Sequence, residues 1–221
     1  MKWYLDFGHG GKDPGALGTN KTKESNSVLK IGMIIKNNLE QAFEKVITTR
    51  EDDKYYSLDY RSSKANKENC DYFVSIHMNS STNKSAKGVE VWVYDEKSKL
   101  YTLSKDICTN LSKDINTPNR GVKISKNFSV LKKTKMPALL IEIDFISNTS
   151  VEASLKSDIY IKNIATSISK SLLTFVNKSI VDDGIFYRVC IGEFKDMSAA
   201  VELKNTAISK GFNNTHIINS L

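Results

Sequence analysis

Cysteine, proline and histidine are scarce in this 221-residue chain, with three of each. Each scarcity excludes something. Cys70, Cys108 and Cys190 are odd in number and widely spaced, with no Cys-x-x-Cys pair, so neither a disulfide framework nor a thiolate zinc site is indicated. With so little proline and no Pro- or Ser-biased stretch, no long linker is expected. The longest apolar runs, such as "ALLIEI", are far too short to span a bilayer, so no membrane insertion is expected. The amino terminus lacks the apolar region and small-residue cleavage site of a signal peptide, because "WYL" runs at once into charge and glycine. Synthesis in the cytoplasm without an export signal is the resulting expectation.

What is present supports a buried core. Apolar residues make up 40% of the chain, enough for one ordinary domain and a small appendage. The net charge of +7 is unevenly spread. From Val181 onward four basic residues face five acidic ones, so the remainder carries +8. Such a surface favours polyanionic surroundings: nucleic acid, acidic lipid or the phosphate-rich polymers of a bacterial wall. No nucleic-acid module is recognisable and aromatics are not interleaved with the basic runs, so no nucleic-acid partner is expected.

Strand and helix patterns alternate. "KWYLDF", "VITTR", "DYFVSIHMN", "GVEVWVYD" and the continuous apolar run "PALLIEIDFI" read as strands. "ESNSVLKIGMIIKNNLEQAFEKV" places Val28, Ile31, Ile35, Leu39 and Phe43 on one helical face. "SLDYRSSKANKENC" reads as a helix capped by Ser57, "KLYTLSKDICTNLSKDI" as a third, and residues 159–176 as a last. This order predicts an α/β fold, a mostly parallel twisted sheet flanked by helices, with sites at the carboxyl ends of strands. "SIVDDG" is a candidate linker. Beyond it "IFYRVCIGEF", "MSAAVELKNTAISKG" and "NTHIIN" predict one small βαβ unit, marginal by itself.

Two of the histidines, His9 and His77, fall at strand ends. A zinc site with an open catalytic position needs three protein ligands, commonly two His and a carboxylate. Asp6, Asp13, Glu24 and Glu142 are the carboxylates in reach of the same sheet edge. A histidine at a strand end is more often only hydrogen-bonded, and His216 in the tail is read that way. Glu142 is harder to set aside, since a carboxylate inside "LLIEIDFI" either faces a cation or carries a raised pKa.

At this point a resemblance emerges. "LDFGHGGKDPGALG", the Glu of "KESNSVLK", "YRSSKAN", "DYFVSIHMNSS", "GVEVWVY", "NRGVK" and "MPALLIEIDFISN" occur in the order and spacing of the zinc-dependent N-acetylmuramoyl-L-alanine amidases of the Amidase_3 type, which share a phosphorylase/hydrolase-like α/β fold. The resemblance covers residues 1–177. It implies that His9, Glu24 and His77 are ligands to Zn²⁺ and that Glu142 is the catalytic acid/base. It implies cleavage, in peptidoglycan, of the amide between the lactyl group of N-acetylmuramic acid and the L-alanine of the stem peptide. Asn79 and Arg120 match recurrent positions. Asn79 would touch substrate or orient its loop, and Arg120 would meet an acidic group of the stem peptide. Arg61 and Asn66 would brace their helix and the His77 loop. The glycines of "GHGGKDPG" would give clearance at the metal. Asp144 stands where the family commonly has Gly, and either raises the Glu142 pKa or sits in solvent. The rival reading is a non-catalytic wall-binding protein on the same fold.

Residues 185–221, after a linker at 178–184, resemble half of a sporulation-related (SPOR) repeat that binds glycan strands. A lone half with open strand edges implies a homodimer through the tail, unless the tail docks on its own catalytic domain or the chain is truncated. The resemblance extends to clostridial phage endolysins and to mother-cell amidases of sporulation. Without an export signal, either would reach the wall after holin-mediated or lytic release.

Overall fold

Alternation along the strands decides which side chains reach each face of the sheet, and hence where a site can form. The computed structural model describes residues 1–180, 191–212, 215 and 217. It divides into two units, Met1–Val181 and Asp182–Leu221. The first contains β1 (Lys2–Phe7), α1 (Glu24–Gln41), β2 (Lys45–Thr48), α2 (Leu58–Lys67), β3 (Tyr72–Asn79), β4 (Val89–Val93), α3 (Tyr101–Asp114), β5 (Asn119–Ile124), α4 (Ser129–Lys133), β6 (Ala138–Phe145), α5 (Thr149–Ser154) and α6 (Asp158–Phe175). The strands form one sheet in the order β2-β1-β3-β6-β4-β5.

The sheet is mixed. β1 runs parallel to β2 and β3, β3 to β6, and β4 to β5, but β4 runs antiparallel to β6. The reason lies in the connection. A parallel return needs a long crossover, usually helical, and residues 80–88 hold no helix, so β4 comes back in the opposite direction. Strand β5 and the short helices α4 and α5 were not foreseen from periodicity, being too short or too polar.

One face of the sheet buries Trp3, Leu5, Phe7, Val74, Ile76, Leu139, Ile141 and Ile143 with α1, α3 and α6 in the main core. The other face carries Tyr4, Phe73, Ala138 and Leu140 in a smaller cluster with residues of α2 and α4. Period-two alternation puts Asp6, Ser75, His77, Glu90 and Glu142 on this thinner side, toward the strand ends. Ser57 caps α2 as expected, its Oγ accepting from the Tyr60 N–H at 3.2 Å.

Two buried arginines hold the turn after β1. Arg61 pairs with Asp6 at 2.7 Å and donates to the carbonyls of Phe7 and His9, each at 2.9 Å. Arg50 donates to Phe7 O at 3.0 Å, Gly8 O at 2.9 Å and Ser25 O at 2.7 Å. Asp6, 1% exposed, also accepts from Thr49 and Ser75. Removing one partner of such a buried pair costs about 3–5 kcal/mol. Arg61 thus braces the His9 turn rather than the His77 loop. Asn66 ties α2 to Lys133 and Lys135, also away from that loop.

The loop leading into α1 has its own clamp. Glu152 of α5, fully buried, accepts from the backbone N–H groups of Asn20 and Thr22 and from the Thr19 hydroxyl at 2.7 Å. In the second unit the structure shows α7 (Met197–Ser209), capped by Asp196, where a helix was expected. Ile191–Phe194 form no strand. Residues 185–190, most of "NTHIIN", Cys190 and His216 lie outside the described residues. Cys70 and Cys108 are buried free thiols. Among the described residues no helix is long and apolar enough to cross a membrane.

The Glu152 clamp predicts an acid-sensitive term in stability. Burial raises its pKa, but the donors of Thr19, Asn20 and Thr22 outweigh that and hold it at about 2, below its ordinary 4.5. The unfolded chain therefore takes up this proton first. The stabilisation is complete above pH 4.5 and drains away as pH falls from 4.5 toward about 2. In urea titrations at stepped pH, Glu152→Gln should be less stable than wild type at pH 7 and lose less stability across that acid window.

Candidate active site

Two histidines and a glutamate converge from three separate elements. His9 follows β1 in a turn where its own φ is +60°, a left-handed conformation costly for a side-chain residue. The carbonyl contacts of Arg50 and Arg61 keep the turn there. Glu24 is the first residue of α1, where the helix dipole favours a carboxylate. His77 lies near the carboxyl end of β3. Donor atoms of His9, Glu24 and His77 lie within 4.8 Å of one another.

Glu24 is the centre of the cluster. Its Oε1 accepts from the Met78 N–H at 3.0 Å and lies 2.9 Å from His77 Nδ1 and 3.2 Å from His9 Nε2. Its Oε2 accepts from the Ala16 N–H at 2.8 Å. Asp13 binds His9 Nδ1 at 2.9 Å, which turns Nε2 toward the cluster. Two glycines are required here by the ligand side chains themselves. A Cβ on Gly8 would stand 2.3 Å from His77 Cε1, and one on Gly15 would stand 2.6 Å from both Glu24 Oε2 and His9 Cδ2.

Charge reinforces the geometry. Burial lowers the His9 pKa, but Glu24 and Asp13 outweigh it and lift it to about 9. His77 rises in the same way, against its burial, through Glu24 and Glu142. Burial pushes Glu24 up, yet the two imidazoles hold its carboxyl far below the usual range. Glu24 is thus held as a buried anion by the positive charge around it, whether carried by the two imidazoles or by a cation between them. Two imidazoles and one carboxylate are the donor set of a catalytic zinc site, and the residues present fit that ion.

Glu142 stands opposite His77 in the β3–β6 pairing and opposite Glu90 in the β4–β6 pairing. Its Oε2 is buried and has no hydrogen-bond partner. Burial raises its pKa; His77 opposes this, and Glu24 and Glu90 add to it, so the carboxyl sits at about 7. Asp144 does neither of the things expected of it. The pairing slips between His77–Glu142 and Asn79–Phe145, a bulge that re-aims the residues between. Asp144 is fully buried and accepts from the Gly88 N–H at 2.8 Å and the Thr117 hydroxyl at 2.5 Å.

Asn79 accepts from the Ser80 N–H at 2.8 Å, an exposed contact within its own loop, and donates to Glu90 at 3.4 Å. Arg120 lies on β5, paired with Glu90. Arg50, Glu90 and Glu152 escaped the sequence reading; their partners lie up to 133 residues away in the chain, and no local pattern marks them.

The comparisons with known proteins agree with this architecture. The family described as N-acetylmuramoyl-L-alanine amidase matches residues 4–174. The sporulation-specific N-acetylmuramoyl-L-alanine amidase of Bacillus subtilis is 34% identical over 215 residues, covering 96% of this chain and 82% of that protein. The endolysin of Bacillus phage SPP1 is 35% identical over 181 residues, 79% of this chain and 65% of that one. The CwlD amidase of Clostridioides difficile, solved with the GerS lipoprotein, superposes with a TM-score of 0.76 at 31% identity, covering 80% of this chain and 98% of that one. With the family match running from within β1 past the last strand and including every residue of the cluster, the chain belongs to the N-acetylmuramoyl-L-alanine amidases of the Amidase_3 family and is a peptidoglycan amidase.

Proposed function

We propose that the chain hydrolyses the amide between the lactyl group of N-acetylmuramic acid and the L-alanine of the stem peptide. In this reading His9, Glu24 and His77 hold Zn²⁺, and Glu142 moves the protons. The supporting observation is the buried, partnerless Oε2 of Glu142 in the row beside His77. His9, Glu24 and His77 would hold a zinc ion, which would supply Lewis-acid activation of the carbonyl and of water. Glu142 accepts the proton of the attacking water at Oε2. It then delivers that proton to the alanine nitrogen as the C–N bond breaks. A carboxyl poised near 7 can serve in both directions at neutral pH. Asp13 fixes the His9 ring, and the arginine-held turn keeps that ring from relaxing out of the cluster.

The same reading assigns the first 177 residues to catalysis and the tail after a linker at 178–184 to the wall. The second unit, resembling half of a SPOR repeat, would hold glycan strands and pair with the tail of a second chain. Ile191, Phe194, Met197, Val201 and Phe212 are exposed along it, an apolar surface suited to such pairing. Two relatives bear the names of a phage endolysin and a sporulation-specific amidase, and the reading extends to those two settings, with action on the wall after release from the cell.

Three outcomes are expected. Glu142→Gln should keep its zinc and its fold and lose hydrolysis by about 10²–10⁴-fold, read as new alanine amino termini released from purified wall. Hydrolysis at the wild-type rate would overturn the assigned role. His77→Ala should lose stoichiometric zinc by elemental analysis, and chelation of wild type should stop release reversibly. A wall-binding protein without catalysis would release nothing, with metal or without. Light scattering at micromolar concentration should report a dimer; a strict monomer that still binds wall would sink the pairing of tails.

A further inference from the structure

Beyond Glu142 the row of charged residues continues across the sheet. His77 on β3 is registered with Glu142 on β6, and Glu142 with Glu90 on β4. The β4–β5 pairing slips between Val89–Asn119 and Val91–Val122, which places Arg120 in a bulge beside Glu90. The order along the row is therefore a metal ligand, the proton carrier, a buried carboxylate and a half-exposed guanidinium.

Arg120 is built into its position. Its Nε donates to Glu90 Oε1. Its guanidinium carbon lies 5.1 Å from the centroid of the Phe145 ring. Gly88, at φ +122°, makes room for the stem: a Cβ there would stand 2.7 Å from Arg120 Cγ and Cδ. Glu90, 5% exposed, is steadied in turn by Asn79. The guanidinium is thus fixed through one edge and one face, while among the described residues no hydrogen bond engages its two terminal nitrogens. Their parallel N–H groups match the geometry of a carboxylate.

Direction along the row follows from the chemistry. Glu142 protonates the departing amine, so the amine side of the scissile bond, which is the peptide side, faces Glu142. The peptide beyond it then runs toward β4 and β5, and the sugar lies on the side of β1. We infer that Arg120, oriented by Glu90, Phe145 and Gly88, is a specificity-determining residue that binds a free carboxylate of the stem peptide, the one on the residue following the alanine. This rests on the amidase reading above and adds to it a preference between walls whose second stem residue carries a carboxylate and walls in which it is amidated. Arg120 and its substrate carboxylate form the contact, and Glu90 is a positioning residue.

The experiment uses two matched disaccharide pentapeptides that differ only in a carboxylate or a carboxamide at the second stem residue. Wild type should cleave the acid form with a KM about tenfold lower, the difference one charge-assisted contact makes. Arg120→Gln should raise KM for the acid form about tenfold and abolish the preference, with its zinc content held at the wild-type value. Arg120→Lys, which restores charge without the fork, should recover only part of the preference. Glu90→Gln should shrink the preference while Arg120 is intact. Equal KM values for both substrates in wild type, or an Arg120→Gln defect equal on both, would overturn the inference while leaving the amidase reading intact. Release from neither substrate by wild type would overturn the amidase reading, and this inference with it.

Discussion

The Glu24 carboxylate ties together three pieces of chain that are otherwise far apart. Its two oxygens accept backbone N–H groups from the end of β3 and from the loop before α1, and face the rings of His9 and His77. A carboxylate so buried must stay ionised to satisfy these donors, and must be neutralised to remain buried. The two imidazoles supply positive charge only while protonated. A divalent cation supplies it at every pH where the imidazoles are neutral ligands. Folding and chemistry therefore make the same demand on this point in the structure.

The surrounding framework keeps that point rigid. The sheet fixes His77, Glu142 and Glu90 by register, the most exact placement a backbone offers. His9 lies beyond the sheet, in a strained turn, and is held there by the carbonyl contacts of Arg50 and Arg61. The Glu152 clamp steadies the loop that delivers Glu24. Precise elements carry the reactive row, and buried charges compensate wherever the chain leaves those elements.

Much of this was legible in the sequence, for a physical reason. His9 and His77 stand near the ends of strongly patterned strands, and alternation puts His77 and Glu142 on one face, whereas Glu24 was singled out from Asp6, Asp13 and Glu142 by the family resemblance and not by a local pattern. The apolar spacing of α1 from Val28 to Leu39 and the cap of α2 were equally local signals, whereas Phe43, counted on the same face, lies beyond the end of the helix and is exposed. What was missed depends on distant partners. Arg50, Glu90 and Glu152 look like ordinary surface charges until the fold brings their acceptors and donors to them. Asp144 was misread because a bulge, invisible to period-two counting, turned it into the interior. The reversal of β4 could have been read from the missing crossover helix between "DYFVSIHMN" and "GVEVWVYD". Arg61 was correctly taken as a brace, but for the His9 turn and not for the His77 loop.

The central claim is that one zinc ion is bound by His9, Glu24 and His77 beside Glu142. Zinc K-edge X-ray absorption on the full chain loaded with one equivalent of Zn²⁺ tests it most directly. The account predicts a first shell of nitrogen and oxygen at about 2.0–2.2 Å, with the outer-shell scattering of two imidazole rings. A sulfur shell, a single imidazole or failure to retain the ion would contradict it.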